Sequence, residues 1–202
     1  MPYYKDINLL FIHIPKTGGT SLENYLQTKS SQSLYSDVTN NIMPEHSLQQ
    51  ISLQHQFFKD IWRYRKHIGV NFDNIRIISI VRNPYDRIVS DLLYFNLIEK
   101  TTSPEKVYKT IQNYLTRTDL DNHNVPQYQF ICDSKENLKV NMNQIKIFRT
   151  ETLTKDLHKY GFTDYKGKDS SNNYMKYLNK DSISLINSFY KIDFIVFDYI
   201  MI

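Results

Sequence analysis

A largely apolar run from Asn8 to Ile14 leads directly into Pro15-Lys16-Thr17-Gly18-Gly19-Thr20-Ser21, and Leu22, Tyr25 and Leu26 then recur at helical spacing. Strand, small-residue loop and helix start in that order make an anion cradle. Glycines let backbone N–H groups approach a ligand closely, and a helix N-terminus adds partial positive charge. Lys16 adds a full charge beside it. The chain has only five glycines, so an adjacent pair at this point is assigned to ligand approach and not to a simple turn. The loop lacks the Walker order G-x-x-x-x-G-K-[ST], because its lysine precedes the glycines. It also lacks GxGxxG spacing. A lysine so close to the strand end is expected to meet the ligand from the strand side, near the atoms that react.

A second strand, Asn74 to Val81, is rich in β-branched residues and ends in Arg82-Asn83-Pro84-Tyr85-Asp86-Arg87-Ile88-Val89-Ser90. Asn83 suits a helix cap and Pro84 its first turn. Arg82 is therefore predicted at a strand end, and Ser90 about two turns into the next helix. An arginine fork gives bidentate, charge-assisted contact with phosphate, and serine adds a donor. The pattern predicts a second anion site, separate from the first.

Together the two segments resemble the PAPS-dependent sulfotransferases, and within them the carbohydrate group related to heparan sulfate 2-O-sulfotransferase. The likeness extends to Glu45-His46-Ser47, where that group has a histidine leading a helix. It continues through Val125-Pro126-Gln127, Arg149-Thr150-Glu151-Thr152-Leu153, and Tyr190-Lys191-Ile192-Asp193-Phe194 with Phe197 and Tyr199. It implies an α/β fold, a central mostly parallel sheet flanked by helices with a P-loop-like nucleotide site, as one domain over residues 1–202. It implies that Lys16, Thr17, Gly18, Gly19, Thr20 and Ser21 hold the 5′-phosphosulfate of PAPS, and that Arg82 and Ser90 hold its 3′-phosphate. Lys16 would stabilise the leaving phosphate, leaving PAP as product. His46 would be the base for an acceptor hydroxyl, that of a glycan, with Glu45 as the adjacent alternative. Asp86 and Arg87 recur in the motif as a structural ion pair. His13 is expected to be a buried support for Lys16. Arg149 approaches the ligand or pairs with Glu151.

The remaining sequence sets bounds. Length and a 41% apolar content suit one globular domain. Cys132 is alone, so no intrachain disulfide forms, and the six histidines show no zinc spacing with it. No signal peptide or long apolar stretch is read, giving an expectation of no membrane segment and cytoplasmic placement. The net charge of +4 is assigned partly to the anion sites. The run Trp62 to His67 is read as a solvated helix face, and no nucleic-acid module surrounds it. Helices are expected at 20–28, 44–67, 84–99, 104–115, 152–160 and 180–194, strands at 8–14, 75–81 and 144–148, and an acceptor loop at 116–126. The rival readings are a small nucleotide phosphotransferase and a catalytically silent glycan- or nucleotide-binding protein.

Overall fold

The computed structural model describes residues 2–34, 52–132, 144–167 and 174–202. Five strands, β1 (Tyr3–Tyr4), β2 (Leu9–Ile12), β3 (Ser33–Leu34), β4 (Arg76–Val81) and β5 (Ile145–Arg149), form one sheet in the order β3-β1-β2-β4-β5. β4 lies between β2 and β5 and runs parallel to both. β1 is antiparallel to β2 and β3, so the α/β sheet is mixed, with its parallel part at the predicted strands. β2 and β4 are buried on both faces, which explains their nearly unbroken apolar sequence.

Side chains alternate across this sheet. Leu9, Phe11, Ile78 and Ile80 pack with Leu22 and Leu26 of α1 (Gly19–Gln27) and Leu157 of α6 (Leu153–Tyr160). Leu10, Ile12, Ile77 and Val81 face the other way, onto Ile61 of α2 (Phe58–Tyr64) and Phe130 of α5 (Tyr128–Ile131). A third cluster joins α3 (Pro84–Tyr94), α4 (Pro104–Leu115), α7 (Lys180–Phe189) and α8 (Lys191–Val196) around Tyr85, Ile88, Ile111, Ile186 and Phe194. The predicted cap is present: Asn83 accepts a hydrogen bond from the Tyr85 amide at 3.0 Å, and Pro84 opens α3.

Two expected helices are corrected. The one over 44–67 is interrupted, because Gln56 and Phe57 are extended between a 3-10 turn at Leu53–His55 and α2; residues 44–51 lie outside the described residues. Gln54 and His55 are held by side-chain bonds to Glu23 and Asp121, which favour a break over helical continuity. The one over 180–194 divides at Tyr190, whose hydroxyl is drawn to the Asn124 carbonyl at 2.9 Å.

The end of β4 is fastened by side chains from far along the chain. The Gln127 carboxamide accepts from the Arg82 amide at 2.9 Å and donates to the Arg82 carbonyl at 2.8 Å. Buried Asp193 in turn accepts from the amides of Gln127 at 2.8 Å and Tyr128 at 2.9 Å, where α5 begins. Burial pushes the Asp193 carboxyl up to about 6 from 3.8, against the opposing pull of those amides. The folded protein therefore holds this proton to higher pH than the unfolded chain does. The resulting stability is complete below about pH 4 and is lost as pH rises through 6. Relative to Asp193→Asn, which cannot titrate, the wild type is expected to lose about 2 kcal/mol of unfolding free energy between pH 4 and 7. Urea unfolding of both proteins across that range measures it, and a constant difference would contradict the assignment.

Candidate active site

The parallel strands end at Ile12, Val81 and Arg149, and the segments that follow enclose two adjoining cavities at the carboxyl edge of the sheet. Open α/β sheets bind ligands at that edge. The larger cavity, about 480 Å³, holds Lys16, Gly18, Gly19, Thr20, Arg82 and Ser90. The second, about 430 Å³, holds Ser21, Thr150, Tyr165 and Lys166. Gly18 and Asn24 line both.

The loop after β2 has the shape of an anion cradle. Lys16 at φ 64° and Gly18 at φ 89° are left-handed, and α1 starts directly after them. The first N–H groups of a helix have no helical carbonyl to bond and point toward such a loop. Thr17 is fully buried, its hydroxyl donating to the Ile14 carbonyl at 2.8 Å while its carbonyl accepts from Thr150 Oγ1 at 2.6 Å. Its side chain thus shapes the loop and is turned away from the cavity, unlike those of Lys16 and Thr20. Ser21 faces the second cavity, where the Tyr165 hydroxyl donates to it at 3.1 Å. A Cβ on Gly19 would lie 2.3 Å from His13 Nε2, so glycine is what allows the imidazole to sit against the helix start.

Arg82 is 6% exposed. Its Nη1 donates to the Lys16 carbonyl at 3.2 Å, and its guanidinium lies 5.1 Å from the centre of the Tyr174 ring. Nε and Nη2 are buried and have no hydrogen-bond partner among the described residues. A buried cation with two unbonded donors is costly, and a bound anion is the natural remedy. Ser90 lines the same cavity from α3. Lys16 places its ammonium 4.0 Å from the centre of the Tyr94 ring. Burial holds this ammonium below the ordinary lysine range, with Asp91 opposing that shift and Arg82 adding to it.

Other expected partners differ. Arg87 does not spend its guanidinium on Asp86. It donates to the carbonyls of Pro15 at 3.0 Å, Val125 at 2.8 Å and His123 at 2.6 Å, tying the cradle to the 116–126 loop. Arg149 donates to the Phe197 carbonyl at 2.6 Å, while Glu151 accepts from the Asn83 amide at 2.8 Å and the Tyr199 hydroxyl at 2.9 Å. His46 and Glu45 lie within 35–51, outside the described residues.

Three histidines that are distant in sequence meet at the larger cavity. His13, His55 and His123 stand edge to face in series, with centres 5.1 Å apart at each step. Each Nδ1 faces its own carboxylate: Glu23 at 2.6 Å, Asp121 at 2.7 Å and Asp91 at 2.8 Å. His13 was foreseen as a buried support; His55 and His123 were not, and no local motif signals them. Among the described residues no group of His, Cys, Asp and Glu is arranged to hold a metal ion, and no helix is long and apolar enough to cross a membrane.

The model of the sulfotransferase family matches residues 3–200, and the chain belongs to that family. Comparisons with curated proteins and with solved structures return no match. The reaction class is accordingly sulfuryl transfer to an acceptor.

Gly19→Ala is expected to cost about 1–3 kcal/mol, as for other overpacked sites. Much of that loss should return in the Gly19→Ala/His13→Ala pair when compared with His13→Ala alone. Thermal unfolding of the four proteins gives the cycle, and additive losses would contradict the contact.

Proposed function

We propose that the protein transfers the sulfuryl group of PAPS to a hydroxyl, that of a glycan, as in the group related to heparan sulfate 2-O-sulfotransferase. The observation that carries the reading is Arg82, a buried guanidinium with two nitrogens that have no hydrogen-bond partner among the described residues, in the cavity that Ser90 and the loop cradle also line. Two anion sites suit a nucleotide that is charged at both its 5′ and 3′ positions. ATP, with its charges in one chain, has no use for the second.

In this reading Arg82 and Ser90 hold the 3′-phosphate. Lys16, the loop N–H groups and Thr20 hold the 5′-phosphosulfate. The second cavity, with Ser21, Tyr165 and Lys166, flanks the loop and offers space for the remainder of the nucleoside. PAPS supplies an activated sulfuryl group on a good leaving phosphate. Lys16 contributes most as negative charge grows on the bridging oxygen, since a fixed cation there favours the transition state over the ground state. Its partial burial and its place on the Tyr94 ring keep it from competing counter-ions. An imidazole removes the acceptor proton; the resemblance assigns that to His46, with Glu45 beside it. The 116–126 loop, which carries His123 and is braced by Arg87, is the acceptor side of the cavity.

PAP at about 100 times its dissociation constant should stabilise the fold by roughly 2.7 kcal/mol, and ATP at the same concentration by much less. Equal thermal shifts would remove the 3′-phosphate assignment and favour a phosphotransferase. Lys16→Ala should abolish most turnover of labelled PAPS on a desulfated glycosaminoglycan pool. Wild-type protein that binds PAP but transfers nothing, to these glycans or to water, would point to a silent binding protein.

A further inference from the structure

We propose that Tyr94 is a positioning residue for the transfer step, its ring face holding the Lys16 ammonium where that cation meets the bridging oxygen of the donor. The inference rests on the sulfuryl-transfer reading above and adds to Lys16 the group that aims it.

A lysine reaches its target on a flexible four-carbon stem, so an ammonium that acts at one atom needs something to fix it. A carboxylate partner would fix it but would also offset the positive charge that the leaving oxygen requires. Lys16 has no such partner: its ammonium makes no hydrogen bond or ion pair among the described residues. Asp91, the carboxylate that acts on it through space, has both oxygens engaged. One lies 2.8 Å from His123 Nδ1, and the other accepts from the Tyr114 hydroxyl. What Lys16 has instead is the Tyr94 ring, whose centre is 4.0 Å from Nζ. A ring face attracts a cation through its quadrupole but carries no net charge. The ammonium therefore stays a full cation, with N–H groups left for an anion.

Both sides of the contact are anchored by other parts of the fold. Tyr94 closes α3, lies parallel to the His123 ring at an interplanar angle of 8° and meets Phe95 edge to face at 5.2 Å. Phe95 in turn meets His123 at 5.0 Å, so the three rings brace one another. The Lys16 main chain is held at its carbonyl by Arg82 Nη1. Tyr94 is nonetheless 60% exposed, and its hydroxyl makes no hydrogen bond among the described residues. Core packing does not account for a large aromatic side chain at this position. Its contact with Lys16 at the cavity wall does.

In the step, the acceptor oxygen bonds to sulfur while the bond from sulfur to the bridging oxygen breaks. The electron pair stays on the bridging oxygen, where the Lys16 ammonium donates to it, and the acceptor's proton passes to the base. With the ring in place the cation is ordered before the bond breaks. Without it the stem must be ordered within the step, and kcat falls.

The experiment compares wild type, Tyr94→Phe, Tyr94→Leu, and proteins in which Tyr94 is replaced by phenylalanine carrying one, two or three ring fluorines. Fluorine weakens the hold of the ring face on a cation while barely changing its shape. PAP affinity, and kcat and KM for transfer from labelled PAPS to desulfated glycosaminoglycans, are measured for each. Tyr94→Phe, which keeps the ring face, should stay within a few-fold of wild type. Tyr94→Leu should lower kcat by about 2- to 30-fold, the range of cation–π contacts, with PAP affinity and KM changing less. The logarithm of kcat should fall steadily along the fluorine series. In a Lys16→Ala background the residual single-turnover rate should be flat along the same series. A flat series with Lys16 present would overturn the proposal. So would a fall that persists without Lys16, which would place the ring against the acceptor sugar, or a Tyr94→Leu protein faster than wild type, in which the ring restrains the lysine. Loss of PAP binding by wild type would instead defeat the sulfuryl-transfer reading itself.

Discussion

A guanidinium buried at the end of the central strand, with two nitrogens unbonded among the described residues, is the constraint on which the rest of the structure depends. Left as it is, Arg82 costs the fold free energy, since its solvation is lost and only Nη1 is repaid, by the Lys16 carbonyl. The surrounding structure holds the residue in place despite that cost. Gln127 closes both main-chain bonds of Arg82, Asp193 anchors Gln127, and α8 carries Asp193 into the core. Segments some 45 and 110 residues beyond Arg82 are thereby committed to its backbone. The donors directed at the cavity are preorganised, so a phosphate meets them without further ordering of the chain.

The same logic runs through the loop after β2. Lys16 adopts a left-handed backbone that non-glycine residues seldom take, and Thr17 and Thr150 fix the loop from beneath. Arg87 then joins this loop to the 116–126 loop through three carbonyls. The loop after β2, the end of β4 and the 116–126 loop are thus parts of one hydrogen-bonded frame. A change at any of them is expected to be felt at the others, and this makes clean tests of single residues depend on parallel binding measurements.

Much of the frame was legible in the sequence where the signal is local. The strand, glycine loop and helix start announce themselves because steric freedom, charge and periodicity coincide within a dozen residues. Arg82, Asn83 and Pro84 do the same at the second strand. The two-residue strands β1 and β3 were missed, since so short a stretch has no period to read. The breaks at Gln56 and Tyr190 were missed because tertiary hydrogen bonds, to Glu23, Asp121 and Asn124, override a continuous apolar stripe. Histidines 13, 55 and 123 could not be grouped from sequence, because each is brought to the cavity by a different element. Arg87 looked like half of an ion pair with its neighbour; only the fold shows that it bonds carbonyls from two other segments.

The central claim is that Arg82 reads a 3′-phosphate. Calorimetric titration of wild type and Arg82→Ala with PAP and with adenosine 5′-phosphate, which differs only in lacking that group, tests it most directly. Wild type should prefer PAP by about 10- to 100-fold, the range of hydrogen bonds to charged groups at roughly 1.5–3 kcal/mol. In Arg82→Ala the preference should collapse toward unity while affinity for adenosine 5′-phosphate stays nearly unchanged. Equal affinities for both nucleotides in wild type, or a preference that survives loss of the arginine, would contradict the account.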